Sequence, residues 1–139
     1  FCRHLERELL VPYRAKRRGA SVTLHCAAIE DAPLRGRFDH IVCGLPFNNF
    51  PPVLVRTIMN RMLELLKPGG RLVYCTCSVF RAEGEEQVLA FLAHNKEACL
   101  LPSPGHLWPS MSLKSDAVTD NQSRDHDGFY YALLEKGAG

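Results

Sequence analysis

The spacing of apolar side chains along the chain predicts three helices. Between residues 52 and 67 apolar positions recur every three or four residues, which places them on one helical face. A cluster of glutamates starts a second helix, from Glu83 to about His94, because carboxylates favour the positive end of the helix dipole. Apolar residues at helical spacing within 1–18 predict a further helix that ends near Pro12.

Short β-branched and apolar runs predict five strands, at 21–25, 38–43, 71–74, 98–101 and 129–135. The Pro-Gly-Gly sequence at 68–70 predicts a turn before the third strand, and residues 102–127 predict one long loop. Strands and helices alternate until the last two strands. The pattern therefore predicts a single α/β domain over 1–139, with a mostly parallel sheet covered on both faces and an antiparallel C-terminal edge.

Composition narrows the class of protein further. The apolar content of 46% and charged content of 23% are typical of a soluble globular domain, and no apolar run reaches the ~20 residues that span a bilayer. The six cysteines are scattered without a C-x-x-C pair, which disfavours a metal site and predicts reduced thiols in the cytoplasm. A net charge of +2 identifies no polyanionic partner. The basic residues between Arg14 and Arg18 fit a solvated helix end or a phosphate-contacting patch.

The candidate chemistry centres on Cys77, which lies between Thr76 and Ser78 directly after a predicted strand. Ligands and reactive groups collect at the carboxyl ends of strands in open α/β sheets. Cys77 is therefore either a nucleophile or a small buried apolar side chain. Cys75 lies two residues earlier on the same side of the strand, and we expect it to serve in packing.

The segments LKPGGRLVYCTCSVFRAEGEEQVLAFL and DGFYYALLEK, within residues 63–136, resemble the Sun/Fmu family of ribosomal RNA cytosine-C5 methyltransferases. The resemblance implies a Rossmann-like class I methyltransferase fold, S-adenosyl-L-methionine (SAM) as cofactor and RNA as substrate. It implies that Cys77 is the nucleophile. Asp127 and Gly128 match the family's ending, although a turn explains them equally well.

Residues 1–70, with the motif HIVCGLPFNNFPPVLV, resemble phospholipid N-methyltransferases, including the phosphatidylethanolamine type. The loop Gly44, Leu45, Pro46 and Phe47 is similar to the substrate loop of amino-group methyltransferases. That resemblance implies an amine or phospholipid substrate, with Phe47 packed against it and Asn48 offering hydrogen bonds. The alternative is a tight loop around a buried Phe47.

Comparison with the RNA family also shows what this sequence lacks. Gly44 and Phe47 stand where the family has an aspartate and a second cysteine, so the acid and the releasing thiol are absent unless Cys43 or Cys75 compensates. The first two strands and the glycine-rich SAM loop are not present either. The resemblance places the adenine of SAM beside three residues, Ala28, Ile29 and Glu30.

Three interpretations remain open on this sequence. The first is a cytosine-C5 methyltransferase of ribosomal RNA or its catalytic half, the second is an amine or phospholipid N-methyltransferase, and the third is a non-catalytic Rossmann-like interaction module. Because unpaired central strands are costly, we expect either a rearranged sheet or a second polypeptide that completes it. We also expect the isolated chain to be inactive and to bind no appreciable SAM.

Overall fold

The computed structural model describes residues 2–16, 21–34, 38–108 and 128–138. The chain divides into two compact units, residues 1–34 and 35–139. Each unit is described by itself below, and the assignment of 1–139 to one domain stays a prediction. In the described ranges, no helix is both long enough and apolar enough to cross a membrane.

The first unit is helical from Cys2 to Lys16, through α1 (Cys2–Leu5), a π-helical turn (Glu6–Leu10) and α2 (Val11–Lys16). The predicted helix is therefore confirmed, but its predicted end at Pro12 is wrong. A proline lacks the backbone N–H and crowds the preceding turn, and the wider π-helical turn just before Pro12 accommodates both effects.

Two further expectations for the first unit are wrong. Residues 21–25 form no strand, because a strand needs a hydrogen-bonded partner and this unit has none among its described residues. Cys2 and Cys26 form a disulfide with their Cα atoms 6.4 Å apart, so not all six thiols are reduced. The disulfide joins the start of the helix to the segment that follows it. The two cysteines are 24 residues apart in the sequence, so sequence spacing did not indicate that they pair.

Arg14 takes part in this arrangement. Its guanidinium donates hydrogen bonds to the carboxylate of Glu6 and to the carbonyl of Val22. Arg14 is therefore occupied within its own unit, which favours a structural role over a phosphate contact. The neighbouring Arg17 and Arg18 lie outside the described residues.

The second unit contains a four-stranded sheet of β1 (Phe38–Cys43), β2 (Leu66–Thr76), β3 (Ala98–Leu107) and β4 (Phe129–Lys136). The strand order is β1-β2-β4-β3. β1 pairs with β2 in parallel, whereas β4 is antiparallel to both β2 and β3. The α/β class and the antiparallel C-terminal strands are thus confirmed.

Two predicted irregular segments are instead part of strands. The register jumps from Phe38–Leu66 to His40–Arg71, so the predicted Pro-Gly-Gly turn at 68–70 is a bulge within β2, with Gly69 at φ +74°. The start of the predicted 102–127 loop extends β3 to Leu107 through a second bulge. Residues 109–127 of that loop, Asp127 included, lie outside the described residues.

Two helices cover one face of this sheet. The structure confirms both predicted helices, α3 (Pro52–Leu65) and α4 (Glu85–His94). The core consists of α3 and α4 side chains packed against alternate residues of β2 and β4, including Leu66, Leu72, Tyr74, Ala132 and Leu134. The opposite face is more exposed than predicted: Val73 and Leu133 are only half-buried, and Val42 of β1 is 74% exposed.

Candidate functional site

The candidate site lies where β1 and β2 end. These strands are parallel neighbours, and Cys43 at the end of β1 pairs with Tyr74 near the end of β2. The loop from Gly44 to Asn48 and the thiol of Cys77 therefore emerge at the same edge of the sheet, as expected for chain segments that follow adjacent parallel strands. The structure thus brings these two sets of predicted site residues to one edge.

Cys77 is exposed, one residue beyond the end of β2. Its neighbours Thr76 and Ser78 are buried, at 7% and 6% exposure. The Ser78 hydroxyl donates to the Glu83 carboxylate at 2.5 Å and accepts from the Phe80 N–H at 3.0 Å. The backbone on both sides of Cys77 is therefore anchored while its thiol faces solvent. The interpretation of Cys77 as a packed, buried thiol is wrong; its role as nucleophile stays a prediction.

Two more thiols lie close to this edge. The Cys75 Sγ donates to the carbonyl oxygen of Cys43 at 3.5 Å. Burial raises the pKa of the Cys43 thiol; a hydrogen bond from the Leu45 backbone opposes this shift and proximity to Cys75 adds to it. Cys43 is therefore a protonated thiol at neutral pH. A Cβ placed on Gly44 would lie 3.8 Å from the Cys75 Sγ, so there is open space for a side chain at position 44.

The loop after β1 closes around Phe47. A short 3₁₀ turn covers Phe47–Asn49, with the Phe47 N–H donating to the Leu45 carbonyl at 3.0 Å. Phe47 is only 2% exposed and stacks on Tyr74 with ring centroids 5.1 Å apart. The buried-Phe alternative therefore holds, and the predicted packing of Phe47 against a substrate is wrong. Among its loop neighbours, Gly44, Pro46 and Asn48 are exposed and Leu45 is half-buried.

Behind this loop, α3 and α4 enclose an apolar cavity against the sheet. Its lining includes Phe47, Val55, Met59, Tyr74, Val88 and Phe91. The α3 and α4 side chains among these are buried residues of the core. The cavity therefore belongs to the packing beneath the site.

A ladder of aromatic rings that the sequence patterns do not predict crosses this end of the sheet. Its successive members are Phe47, Tyr74, Tyr130, His106 and Trp108, with centroid separations of 5.1, 6.3, 4.7 and 5.3 Å. We call this set the ring ladder. The available signal was the alternation of His106 and Trp108 at positions i and i+2, which lie on the same side of a strand.

The residues predicted to contact SAM lie in the first unit. Ala28, Ile29 and Glu30 belong to a turn in which the Asp31 N–H donates to the Ala28 carbonyl at 3.1 Å. The strand at 21–25, which would carry them to the edge of a sheet, does not form. These three residues thus belong to a different unit from Cys77, and their contact with SAM stays a prediction. In the ranges that the structure covers, no group of three or more His, Cys, Asp or Glu residues is arranged to hold a metal ion.

Comparison with known proteins gives matches for the second unit. A family model described as 16S rRNA methyltransferase RsmB/F matches residues 52–135. Ribosomal RNA small subunit methyltransferase B of Vibrio vulnificus is 43% identical over 81 residues, which is 58% of this chain and 17% of that protein. The Xylella fastidiosa protein of the same name is 42% identical over 84 residues, covering 57% of this chain and 19% of that protein. The chain thus spans less than a fifth of these relatives over the matched region.

Among solved structures, the N-methyltransferase NodS from Bradyrhizobium japonicum has a TM-score of 0.63 and 18% identity. The match covers 99% of this chain and 70% of NodS. At this identity it supports the fold alone, which agrees with a partial Rossmann-like methyltransferase sheet. These relatives do not support the resemblance of residues 1–70 to phospholipid N-methyltransferases, which stays a prediction.

Proposed function

Since the chain belongs to the 16S rRNA methyltransferase RsmB/F family, we propose that it acts in SAM-dependent methylation of C5 of cytosine in ribosomal RNA, with Cys77 as the nucleophile. The observation that carries this proposal is the exposed thiol of Cys77 at the carboxyl edge of the sheet, between two anchored residues. The protein that carries out the reaction is cytoplasmic in this proposal, and RNA is its substrate.

The chemistry requires a thiol because C5 of cytosine is a poor nucleophile. Addition of the Cys77 thiolate at C6 forms a C–S bond, breaks the C5–C6 π bond and leaves an enamine-like C5, with a proton taken up at N3. SAM, if bound, would supply the methyl group to C5 and leave as S-adenosylhomocysteine. Loss of the C5 proton to a base would then restore the double bond and release the Cys77 thiolate. The exposure of Cys77 gives a flipped-out base access to the sulfur, and the Ser78–Glu83 hydrogen bond anchors the chain directly after it. Positioning is thus the contribution that this segment makes to catalysis.

The residues around Cys77 are less suited to protonating N3 of the cytosine ring and to releasing the methylated product from Cys77. Gly44 carries no acid for N3 of the ring, and Phe47 is buried and carries no thiol for release. Cys75 is the thiol next to position 44, and it donates to a backbone carbonyl. Cys43 is buried and protonated because burial raises its thiol pKa. We therefore expect the isolated chain to complete no turnover, with a covalent adduct at Cys77 persisting once it has formed.

SAM is the methyl donor that family membership implies. The described residues do not fit it as a complete site, because Ala28, Ile29 and Glu30 lie in a turn that no strand carries to the sheet edge. No step at the SAM methyl is therefore assigned to residues of this chain. Another polypeptide segment paired with β1 would supply the remaining sheet, and the position of β1 at one edge of the four-stranded sheet supports such pairing.

A non-catalytic interaction module is the second candidate function. Gly44, the buried Phe47 and the unformed strand at 21–25 favour it, because each removes a part that methyl transfer needs. An amine or phospholipid N-methyltransferase is disfavoured by the same burial, since the Phe47 ring is not free to hold an amine. The two remaining candidates differ in whether Cys77 ever forms a covalent bond to RNA.

Covalent trapping tests the proposal. RNA containing 5-fluorocytosine is incubated with the chain and SAM, and the cross-linked product is measured on a denaturing gel. We expect a slowly formed adduct that Cys77→Ala abolishes and Cys99→Ala leaves intact, since Cys99 is also an exposed free thiol. No adduct with the unaltered chain, or an adduct that survives Cys77→Ala, would reject the proposed chemistry. The first outcome, with no SAM binding by calorimetry, would support the non-catalytic module.

A further inference from the structure

The ring ladder changes from buried to exposed along its length. Phe47, Tyr74 and Tyr130 are 2%, 0% and 4% exposed, whereas Trp108 at the other end is 59% exposed. We propose that Trp108 is a stacking platform for an unpaired base of the RNA substrate, in the same strand as the cytosine that reaches Cys77. This inference rests on the proposed function and extends it by naming a residue that positions the substrate.

Trp108 is held firmly although it is exposed. One face of its ring stacks on His106, with centroids 5.3 Å apart and 25° between the planes. His106 in turn packs against Tyr130 at 4.7 Å. A ring that is stacked on one side and still 59% exposed presents its other face to solvent. The platform is therefore preorganised, which lowers the entropic cost of binding.

His106 contributes to the platform through its ring alone. Both of its ring nitrogens are buried and have no hydrogen-bond partner among the residues that the structure describes. Buried nitrogens without partners destabilise a fold, so a histidine placed only for packing would be a costly choice. The flat ring of His106 instead supports Trp108 by stacking against it.

The register of the sheet brings Trp108 to the end where Cys77 lies. Thr76 pairs with Tyr130, and Tyr130 pairs with His106, so these three residues form one row across β2, β4 and β3. Two strand spacings separate the ends of this row, about 10 Å. This distance corresponds to about three nucleotides of a stacked strand at ~3.4 Å each. This row gives a backbone separation only: Cys77 lies one residue beyond Thr76 and Trp108 lies two residues beyond His106. In the proposed complex the base that stacks on Trp108 therefore lies about three or more positions from the target cytosine.

A second exposed aromatic side chain lies close to Cys77. Phe80, three residues further along the chain, is 65% exposed. Among the described residues, Phe80 and Trp108 are the most exposed aromatic side chains, and both lie at this end of the sheet. Exposed rings beside a thiol-bearing sheet edge fit single-stranded nucleic acid, since every base offers a π-face for stacking.

Intrinsic fluorescence gives a direct test, because Trp108 is the single tryptophan of the 139-residue chain. A single-stranded oligoribonucleotide with a central cytosine is titrated into the chain without SAM. We expect saturable quenching of the tryptophan emission. An abasic site at one position about three or more nucleotides from the cytosine should reduce that quenching and weaken binding about 10-fold.

Variants separate stacking from other contacts. Trp108→Leu should weaken binding of the oligonucleotide about 10-fold, measured by anisotropy of a labelled RNA, whereas Trp108→Phe should retain most of the affinity. Leu100→Ala is the matched control, because Leu100 is 46% exposed near the other end of β3. Unchanged affinity of Trp108→Leu, or the same loss in Trp108→Phe, would overturn the stacking platform.

The same experiment distinguishes this inference from the proposed function. Quenching without covalent capture of 5-fluorocytosine RNA would contradict the role of Cys77 and support the platform. Covalent capture of an RNA that leaves the Trp108 emission unchanged would support the role of Cys77 and overturn the platform. Quenching of the Trp108 emission by a protein but not by RNA would also overturn the stacking platform.

Discussion

Phe47 stacks on Tyr74, with ring centroids 5.1 Å apart and 16° between the ring planes. Tyr74 also donates its hydroxyl to the Glu83 carbonyl at 3.0 Å. One buried tyrosine therefore connects the loop after β1 with the turn after β2. The Glu83 carboxylate also accepts a hydrogen bond from the Ser78 hydroxyl. The loop at Gly44 and the segment at Cys77 are therefore fixed relative to each other through the core.

Phe47→Ala should be among the most destabilising substitutions in the second unit. The substitution removes a ring that is 2% exposed and leaves a cavity beside Tyr74, which costs about 3–5 kcal/mol. Phe50→Ala is the control, since Phe50 is half-buried and its ring lies 6.2 Å from Phe47 in a tilted contact. Urea unfolding measures both free energies. Equal losses for the two variants would contradict the assignment of Phe47 to the core.

The sequence predicted the elements whose signal is local. Apolar spacing identified α3, a glutamate cluster identified α4, and β-branched and apolar runs identified β1, β2 and β4. The errors lie at positions that depend on pairing between distant segments. Residues 68–70 and 102–107 contain Pro and Gly, which locally predict turns, yet pairing with β1 and β4 holds them in strands as bulges. The 21–25 run has strand composition but no partner among the described residues of its unit.

The candidate site was predictable only in part, for a similar reason. The motif around Cys77 placed the thiol at a strand end, but only the packing of Thr76 and Ser78 shows that the thiol itself is exposed. A phenylalanine at position 47 is compatible with either a substrate contact or a core position. Its stacking on the buried Tyr74 shows that it belongs to the core. The ring ladder draws on the loop after β1 and on three strands, so no single stretch of sequence displays it.

Stability of the second unit should fall at alkaline pH. Burial is the main cause that raises the pKa of Cys43 above its ordinary value of 9.0 and that of Tyr74 above 10.0. The unfolded chain therefore loses these protons at lower pH than the folded chain. Stability is complete below about pH 9 and falls as pH rises through the ordinary values towards the raised ones. Urea unfolding at about pH 8 and about pH 10.5 measures the difference.

Tyr74→Phe isolates the Tyr74 part of this effect; burial also raises the pKa of Tyr130, which the variant keeps. The variant loses the hydrogen bond to the Glu83 carbonyl, which should cost about 1 kcal/mol at neutral pH. It should also lose less stability than the unaltered chain between the two pH values, because it has no phenol to ionise at position 74. A variant whose stability falls as steeply as that of the unaltered chain would assign the alkaline loss to other groups.

Gly84→Ala should destabilise the second unit because a Cβ there has no space. An added Cβ would lie 2.5 Å from the Tyr130 Cγ, and that ring is buried and held within the ring ladder. Overpacking of this kind costs about 1–3 kcal/mol. Gly44→Ala is the matched control, because its added Cβ has only an ordinary contact at 3.8 Å. Thermal unfolding compares the two variants, and similar midpoints would show that Tyr130 yields freely.

Gly44→Asp should improve the chemistry of Cys77. The RNA methyltransferase family that this chain resembles has an aspartate at this position, where the structure leaves room for a side chain next to the exposed carboxyl edge of the sheet. An acid beside the cytosine ring stabilises the adduct with Cys77, and general acid catalysis contributes about 100-fold or more. We expect faster trapping of 5-fluorocytosine RNA by about that factor, measured from the initial rate of adduct formation.

Gly44→Asn is the control for that experiment, because asparagine has nearly the same shape as aspartate and does not transfer a proton. It should trap RNA at the rate of the unaltered chain. Equal acceleration by Asn would assign the gain to hydrogen bonding or loop order instead of acid catalysis. Acceleration by Asp that persists in a Cys77→Ala background would show that the new carboxylate acts on a different nucleophile. Cys75 is then the thiol to replace next, because its Sγ lies 3.8 Å from the position of a Cβ added at Gly44.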